Sequence, residues 1–382
     1  MFHIYEIEYV FPLSAIYFWF IFIFLSTTKF PILFIYEKGG FTLKKWRLFL
    51  LMCLSFVLIL AGCSSKEEKG TKDGLRKIVI SEPVHLIGYL PLYVAIEEGY
   101  FKEEGLEVEV ITATGGAHVT SVVSGDAWGV MGGPDSVQMA NLGSSDPIQS
   151  VVNVVNRANV YLMGNSDETI DSTNDEELAN YLKGKVIAAG RYGGSPNLLT
   201  RWLLMELGLD PEKDVKLEEP ADASAVVSLV ESGNADIANG GEPQITEGMK
   251  KGAWKEPFYS FASLGDYPYS VVSVKKSTIE KEPKVVESFV KAVLKGLKKV
   301  DEDPDLAMKV LKAEFPTTSD EILQASLDRA YADELWSKDG YISEEAVAKP
   351  MDVVEKTGVY TEGYKYEELI DMQFVDKLSK KQ

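Results

Sequence analysis

Ser124-Gly125-Asp126-Ala127-Trp128-Gly129-Val130-Met131-Gly132-Gly133-Pro134-Asp135 is echoed later in the chain by Ser232-Gly233-Asn234-Ala235-Asp236-Ile237-Ala238-Asn239-Gly240-Gly241-Glu242-Pro243. Each copy reads as a tight turn, a short apolar strand and a glycine pair opening the next helix, with the same spacing from serine to glycine pair. Chance similarity of turns is the alternative, since Ser-Gly before Asp or Asn is common turn chemistry. Taken as one unit used twice, the pattern predicts two α/β halves. Glycine lets backbone approach closely at the carboxyl end of a strand, where ligands sit in open α/β sheets. Two such ends facing each other make a cleft.

Outward from these copies, short apolar strands alternate with amphipathic helices from Arg76 onward. Strands are expected over 77–80, 107–111, 128–131 and 148–155, with helices over 90–98, 117–124 and 134–142 between them. The alternation restarts with strands over 160–163, 185–189, 215–217 and 235–238 and helices over 196–207 and 223–231. Such alternation argues for parallel α/β sheets. From Pro283 the pattern turns helical, over 283–301, 306–313, 319–331 and 344–356. The many Lys and Glu residues there read as solvated helix surface.

The N-terminal part reads differently. Lys44, Lys45 and Arg47 precede an apolar run over 48–60 that ends in Leu60-Ala61-Gly62-Cys63. Basic, apolar and small-residue regions in that order make a secretory signal. The cysteine makes it a lipoprotein signal, cut before Cys63, with lipid on the new N-terminal residue and the rest of the chain extracytoplasmic on a membrane anchor. A transmembrane anchor is the rival, but the run is short for a span of about 20 residues. The signal then occupies 43–62 and a charged flexible tether 63–75. Residues 1–42 hold another apolar stretch, over 11–25, which a lipoprotein signal does not need. Glu37-Lys38-Gly39-Gly40 can be encoded by a purine-rich ribosome-binding sequence. Residues 1–42 are therefore expected to be untranslated leader, with synthesis starting at Leu43; the rival is a further transmembrane helix.

Cys53 leaves with the signal, so the mature chain has no thiol pair for a disulfide or a cysteine-ligated metal. The formal charge is −19, and residues 1–62 carry five Lys/Arg against three Asp/Glu, leaving −21 for the remainder. So acidic a chain is a poor partner for nucleic acid, and an anionic ligand must be held by local donors. About 310 residues follow the tether, enough for two ordinary domains.

Catalytic signals are scarce. After the signal only His85 and His118 remain, neither in a metal-binding spacing, and no nucleophile elbow or phosphate loop is present. No catalytic residue, cofactor or metal is expected. Ligand chemistry is better represented. Gly190-Arg191-Tyr192-Gly193-Gly194-Ser195-Pro196 joins a strand to a helix, with Ser195 as N-cap and Pro196 at the first helical position. Free backbone N–H groups there favour an anion or a carbonyl, and Arg191 either adds charge or projects into solvent. Thr114-Gly115-Gly116-Ala117-His118 repeats the logic, with His118 facing either the cleft or the outside of its helix. Ser81, His85 and Tyr89 lie between the first strand and the first helix and are candidates for contact. Gly133, Asp135, Asn239 and Glu242 stand beside the glycine pairs. Glu242 either accepts from a ligand amine or ring nitrogen, or complements the helix dipole.

Gly88-Tyr89-Leu90-Pro91-Leu92-Tyr93-Val94-Ala95, followed by Glu98-Gly99-Tyr100-Phe101-Lys102-Glu103-Glu104-Gly105-Leu106-Glu107-Val108, resembles the solute-binding proteins of ABC importers. The subgroup is the one for nitrate, sulfonate, taurine and thiamine pyrimidine precursors. Gly240-Gly241-Glu242-Pro243 matches its recurrent Glu-Pro motif at the start of a second-domain helix. The resemblance covers 77–301 well and the helical tail loosely. It implies a periplasmic-binding-protein-like fold of type II, two α/β lobes joined by a two-stranded hinge near 156–159 and 267–270. Lobe 1 would comprise 76–156 and 272–382, with a helical C-terminal region, and lobe 2 residues 157–271.

The resemblance also implies a mechanism. Ligand binds between open lobes, closure buries it, and the closed form docks on a membrane permease pair driven by a cytoplasmic ATPase. Closure requires that the ligand bind the closed state better than the open one. Tyr192, Gly193, Gly194 and Ser195 would face Ser81, His85, Gly116 and Asp135. The expected protein is a monomeric lipid-anchored receptor without turnover. Its ligand is a small polar or anionic organic solute of sulfonate, taurine or nitrate type, with a thiamine-pyrimidine precursor as the alternative. An enzyme resembling the pyrimidine synthases of thiamine biosynthesis is disfavoured, because their cysteine-rich motif is lacking and an export signal is present. A lipoprotein that senses ligand for a partner receptor is a third reading.

Overall fold

In the computed structural model, residues 74–165, 170–222 and 224–380 are described; the expected leader, signal, Cys63 and most of the tether lie outside them. The chain opens with β1 (Arg76–Glu82), α1 (Leu90–Glu97), α2 (Tyr100–Glu103), β2 (Leu106–Thr112), α3 (Ala117–Ser124), β3 (Gly129–Gly132), α4 (Pro134–Asn141) and β4 (Ile148–Val155). A second run follows, with β5 (Tyr161–Gly164), α5 (Asp175–Leu182), β6 (Val186–Ala188), α6 (Ser195–Glu206), β7 (Lys216–Glu218), α7 (Ala225–Glu231), β8 (Ile237–Gly240), α8 (Gln244–Lys251) and β9 (Tyr259–Ser260). Then come β10 (Ser270–Lys275), α9 (Lys276–Lys281), α10 (Pro283–Glu302), α11 (Pro304–Glu314), α12 (Asp320–Ala332), α13 (Glu344–Lys356), α14 (Tyr366–Leu369) and α15 (Gln373–Ser379).

The strands form two five-stranded sheets, ordered β2-β1-β3-β10-β4 and β7-β6-β8-β5-β9. Parallel pairing holds for β1 with β2 and β3, and for β6 with β7 and β8. Both sheets are nevertheless mixed, which corrects the expectation of parallel sheets. β10 runs antiparallel to β3 and β4, and β5 antiparallel to β8 and β9. These are the strands by which the chain enters a sheet straight from the other one. A parallel neighbour needs a crossover connection, whereas an antiparallel one does not. The two passages between the sheets are themselves paired, Tyr267 N–H donating to Asn156 O at 3.0 Å and Tyr269 N–H to Val155 O at 2.9 Å.

β3 and β8 are inner strands, and each ends at its glycine pair. Apolar side chains seat them: Ile80, Val130 and Val271 are buried in the first sheet, Leu162, Ile187 and Ala238 in the second. Burial of each large side chain contributes roughly 1.5–3 kcal/mol. Behind the first sheet, α10 buries Val286, Phe289, Val290, Val293, Leu297 and Val300, the single stripe of an amphipathic helix. It lies so close to α1 that a Cβ on Gly296 would come within 2.2 Å of Pro91 O.

β4 stands at a sheet edge, yet every one of its residues is buried. The C-terminal tail covers it. Asn153 N–H donates to Gly340 O at 2.8 Å, Ser337 N–H to Val154 O at 3.0 Å and Asp371 N–H to Ser150 O at 2.9 Å. An edge without such cover presents a row of unpaired backbone groups.

Candidate functional site

Both glycine pairs, Gly132-Gly133 and Gly240-Gly241, line one cavity of about 140 Å³ between the two sheets. Gly115 and Gly116 at the start of α3 form another wall, and the loop from Gly190 to Gly194 before α6 a further one. Gly116 has φ of 90°, in the left-handed region that favours glycine, so the loop turns into α3 there. Leu86, Tyr89, Val160, Val226 and Tyr269 give the cavity an apolar body.

Arg191 is the one charged residue lining the cavity among the described residues. Its guanidinium is wedged between the glycine loops of the two halves. A Cβ on Gly116 would stand 3.8 Å from its Cζ, and one on Gly194 3.5 Å from its Nη2. Arg191 Nη1 donates to Tyr192 O at 2.9 Å, and the salt bridges among the described residues do not include it. Burial pulls its pKa down, opposed by the charge of Asp135. His118 also lines the cavity, which settles its direction toward the cleft. Burial, and then the Arg191 guanidinium, lower its pKa to about 4, so the ring is neutral at pH 7.

Ser195 is not the N-cap. Gly194 takes that place with extended φ and ψ, and Ser195 is the first helical residue of α6. Its hydroxyl is thereby free to donate to Asp135 Oδ2 at 2.8 Å, across from one sheet's helix to the other's. Asp135 is buried at the start of α4, and burial raises its pKa against the Ser195 hydrogen bond. Asn239, on β8, donates through Nδ2 to Pro196 O at 2.9 Å and Thr200 Oγ1 at 2.8 Å.

The cavity thus brings together Tyr89, Gly115, Gly116, His118 and Gly133 from one side with Arg191, Gly194, Ser195 and Asn239 from the other. The remaining candidates sit elsewhere. Ser81 is buried beneath α3, donating to His118 O at 2.7 Å. His85 is held 2.9 Å from Glu82 Oε1, 3.5 Å from Glu314 and against the ring of Phe315, so its polar atoms serve the packing of α11. Tyr192 is 54% exposed and lies over Arg201. Gly193 shapes the turn behind Arg191 with φ of 72° but does not line the cavity.

Glu242 needs the plainest correction. It accepts from Thr246 N at 3.2 Å, Thr246 Oγ1 at 2.9 Å, Ser326 Oγ at 3.0 Å and Arg329 Nε at 2.9 Å. These donors come from α8 and α12, and they tie the tail to the second half instead of meeting a ligand. Sequence reasoning missed Tyr269 and Ser270, which line the cavity from the second passage between the sheets. Their place within the expected hinge segment 267–270 was the signal available.

A two-lobed α/β chain with its cavity between the lobes is of the periplasmic-binding-protein-like class. Residues 87–307 match the family model described as NMT1/THI5 like, and the chain belongs to that family. The protein YtlA of Bacillus subtilis (strain 168), whose name proposes a binding role, is 27% identical over 329 residues, covering 85% of this chain and 95% of that one. Two solved structures share the fold. The periplasmic nitrate-binding protein NrtA of Synechocystis PCC 6803 has a TM-score of 0.68 at 15% identity, over 80% of this chain and 89% of that one. The alkanesulfonate-binding protein SsuA of Xanthomonas axonopodis pv. citri, bound to MOPS, has 0.62 at 14%, over 78% and 98%. The resemblance carried by 88–108 and 240–243 therefore holds for family and fold.

Proposed function

We propose that this protein is the solute-binding receptor of an ABC importer, lipid-anchored outside the cytoplasm through Cys63, and that it captures a small anionic organic solute by closing its lobes. The observation that carries the reading is Arg191, a half-buried cation without a salt bridge among the described residues, set between glycine loops of both lobes. A half-buried cation that makes no ion pair, with the charge of Asp135 acting on it only from a distance, is unfavourable, and an anion seated there would relieve it. The first turns of α4 and α6 add backbone N–H groups and helix dipoles of the same sign. The names of NrtA and SsuA, which describe nitrate- and alkanesulfonate-binding proteins, support an anion of that kind.

The pyrimidine alternative asks for a free carboxylate, and Glu242 is already fully engaged. Turnover is not part of the proposal, and the partners are a membrane permease and its ATPase. Thermal-shift screening of the soluble domain against sulfonates, nitrate and pyrimidines tests the ligand class. A tight ligand should stabilise the fold by about 2.7 kcal/mol at a hundredfold excess over its Kd. A shift only with sugars, amino acids or metals would reject an anionic solute.

A further inference from the structure

Beyond its cation, the cavity carries a second unmet demand. Asn239 is 2% exposed and lines the same cavity. The orientation of its amide is fixed by the company it keeps. The Pro196 carbonyl at 2.9 Å can only accept, so the atom facing it is the donor Nδ2. Oδ1 is then a buried acceptor, and it has no hydrogen-bond partner. Burying an acceptor unpaired is unfavourable, and native structures leave few such atoms. The rest of the wall is largely apolar, and no carboxylate among the described residues lines it.

We infer that the natural ligand is a monoanion whose small apolar body carries an uncharged hydrogen-bond donor, a hydroxyl or an amide N–H, which pairs with Asn239 Oδ1. The inference rests on the anion-receptor reading and narrows it in two directions. Nitrate has no donor and no apolar body, so it leaves Asn239 unpaired and the wall unfilled. A taurine-like ligand brings an ammonium, which would be desolvated beside a neutral amide instead of a carboxylate. Asp135 stands outside the lining: its Oδ2 accepts from Ser195, and its Oδ1, also without a partner, is covered by the backbone of Gly133, so an ammonium in the cavity does not meet it directly.

The test is a calorimetric comparison of sulfonates two, three and four carbons long. Each ω-hydroxyalkanesulfonate is measured against the alkanesulfonate with methyl in place of hydroxyl, against the ω-amino analogue, and against nitrate. At the length that fits, the hydroxyl probe should bind roughly three- to tenfold tighter than its methyl isostere, as for one net hydrogen bond. It should also exceed the amino probe and nitrate. A methyl, amino or nitrate probe that binds tightest overturns the donor inference while leaving the anion receptor standing. Binding by none of these probes, nor by matched carboxylates and phosphonates, rejects the anion-receptor reading itself. Asn239→Leu should erase the hydroxyl preference, and a folded Asn239→Leu protein that keeps it would rule out Asn239 as the partner. If that variant does not fold, Asn239→Asp serves instead: a charged acceptor should turn the preference toward the amino probe, and an unchanged order counts against Asn239.

Discussion

Ser195 Oγ donates to Asp135 Oδ2 at 2.8 Å, and this bond joins the first turn of α6 to the first turn of α4 across the cleft. It is made only while the lobes are together. Ser195→Ala should leave the buried carboxylate without that donor and weaken ligand binding by about 1.5–3 kcal/mol, the range for a hydrogen bond to a charged group. Titration calorimetry measures the loss. Small-angle scattering of the wild type should show a smaller radius of gyration with ligand than without, and equal radii at saturation would rule out closure.

Asp135 also makes stability depend on pH. Burial raises its folded pKa, so the folded chain holds this proton more tightly than the unfolded chain does. The contribution is complete below the unfolded value and is lost as pH rises through the folded one. Asp135→Asn should therefore raise the melting temperature at pH 7, with the gain shrinking as pH falls toward about 4. A gain that is constant across that range contradicts the account.

His85 and His118 titrate in opposite directions. Burial works against charge on His85, but hydrogen bonds with Glu314 and Glu82 override it and lift the pKa to about 9. Its contribution is full below pH 6.5 and is lost as pH rises to about 9. His118, lowered to about 4, contributes fully above 6.5, and that contribution is lost as pH falls toward 4. His85→Gln should flatten the alkaline limb of stability against pH, and His118→Gln the acid limb. Urea denaturation at pH 5, 7 and 9 checks both signs.

Arg191→Gln separates binding from folding. Without ligand, removing a half-buried cation should leave stability unchanged or slightly higher. Affinity for sulfonates should fall by at least tenfold, since a charge-assisted contact is lost. Unaltered sulfonate affinity in this variant would remove the main support for an anionic ligand.

Gly296→Ala tests the close approach of α10 to α1. The added methyl meets Pro91 O at 2.2 Å, a backbone atom that can move only with its helix. Overpacking of this kind is worth about 1–3 kcal/mol, visible as a lower denaturation midpoint. Alanine's better helix propensity would offset no more than about 1 kcal/mol. A stabilised variant would mean that the helices separate easily.

Much of the fold was legible because local pattern dictates it: α3, β4 and α13 fall on the expected residues, 117–124, 148–155 and 344–356. The glycine pairs also pointed to the site, since strand ends and helix starts are local features. What stayed hidden depends on partners far along the chain. Glu242 is engaged by Ser326 and Arg329, and His85 by Glu314, and nothing in the neighbouring residues announces either. The outward turn of Tyr192 is a choice of side-chain direction within one glycine-rich loop, which spacing does not encode. The antiparallel entry of β10 follows from the route of the chain between sheets, not from the apolar run itself.

The tail's cover over β4 reverses the usual order of assembly during synthesis. N-terminal units generally fold first as they leave the ribosome. Here the second sheet is complete once β9 has been made, while the first still waits for β10 and for the segments around Ser337, Gly340 and Asp371. The half that begins the chain is the last to be finished, and a chain halted before its final turns would carry a bare strand edge ready to pair with a neighbour.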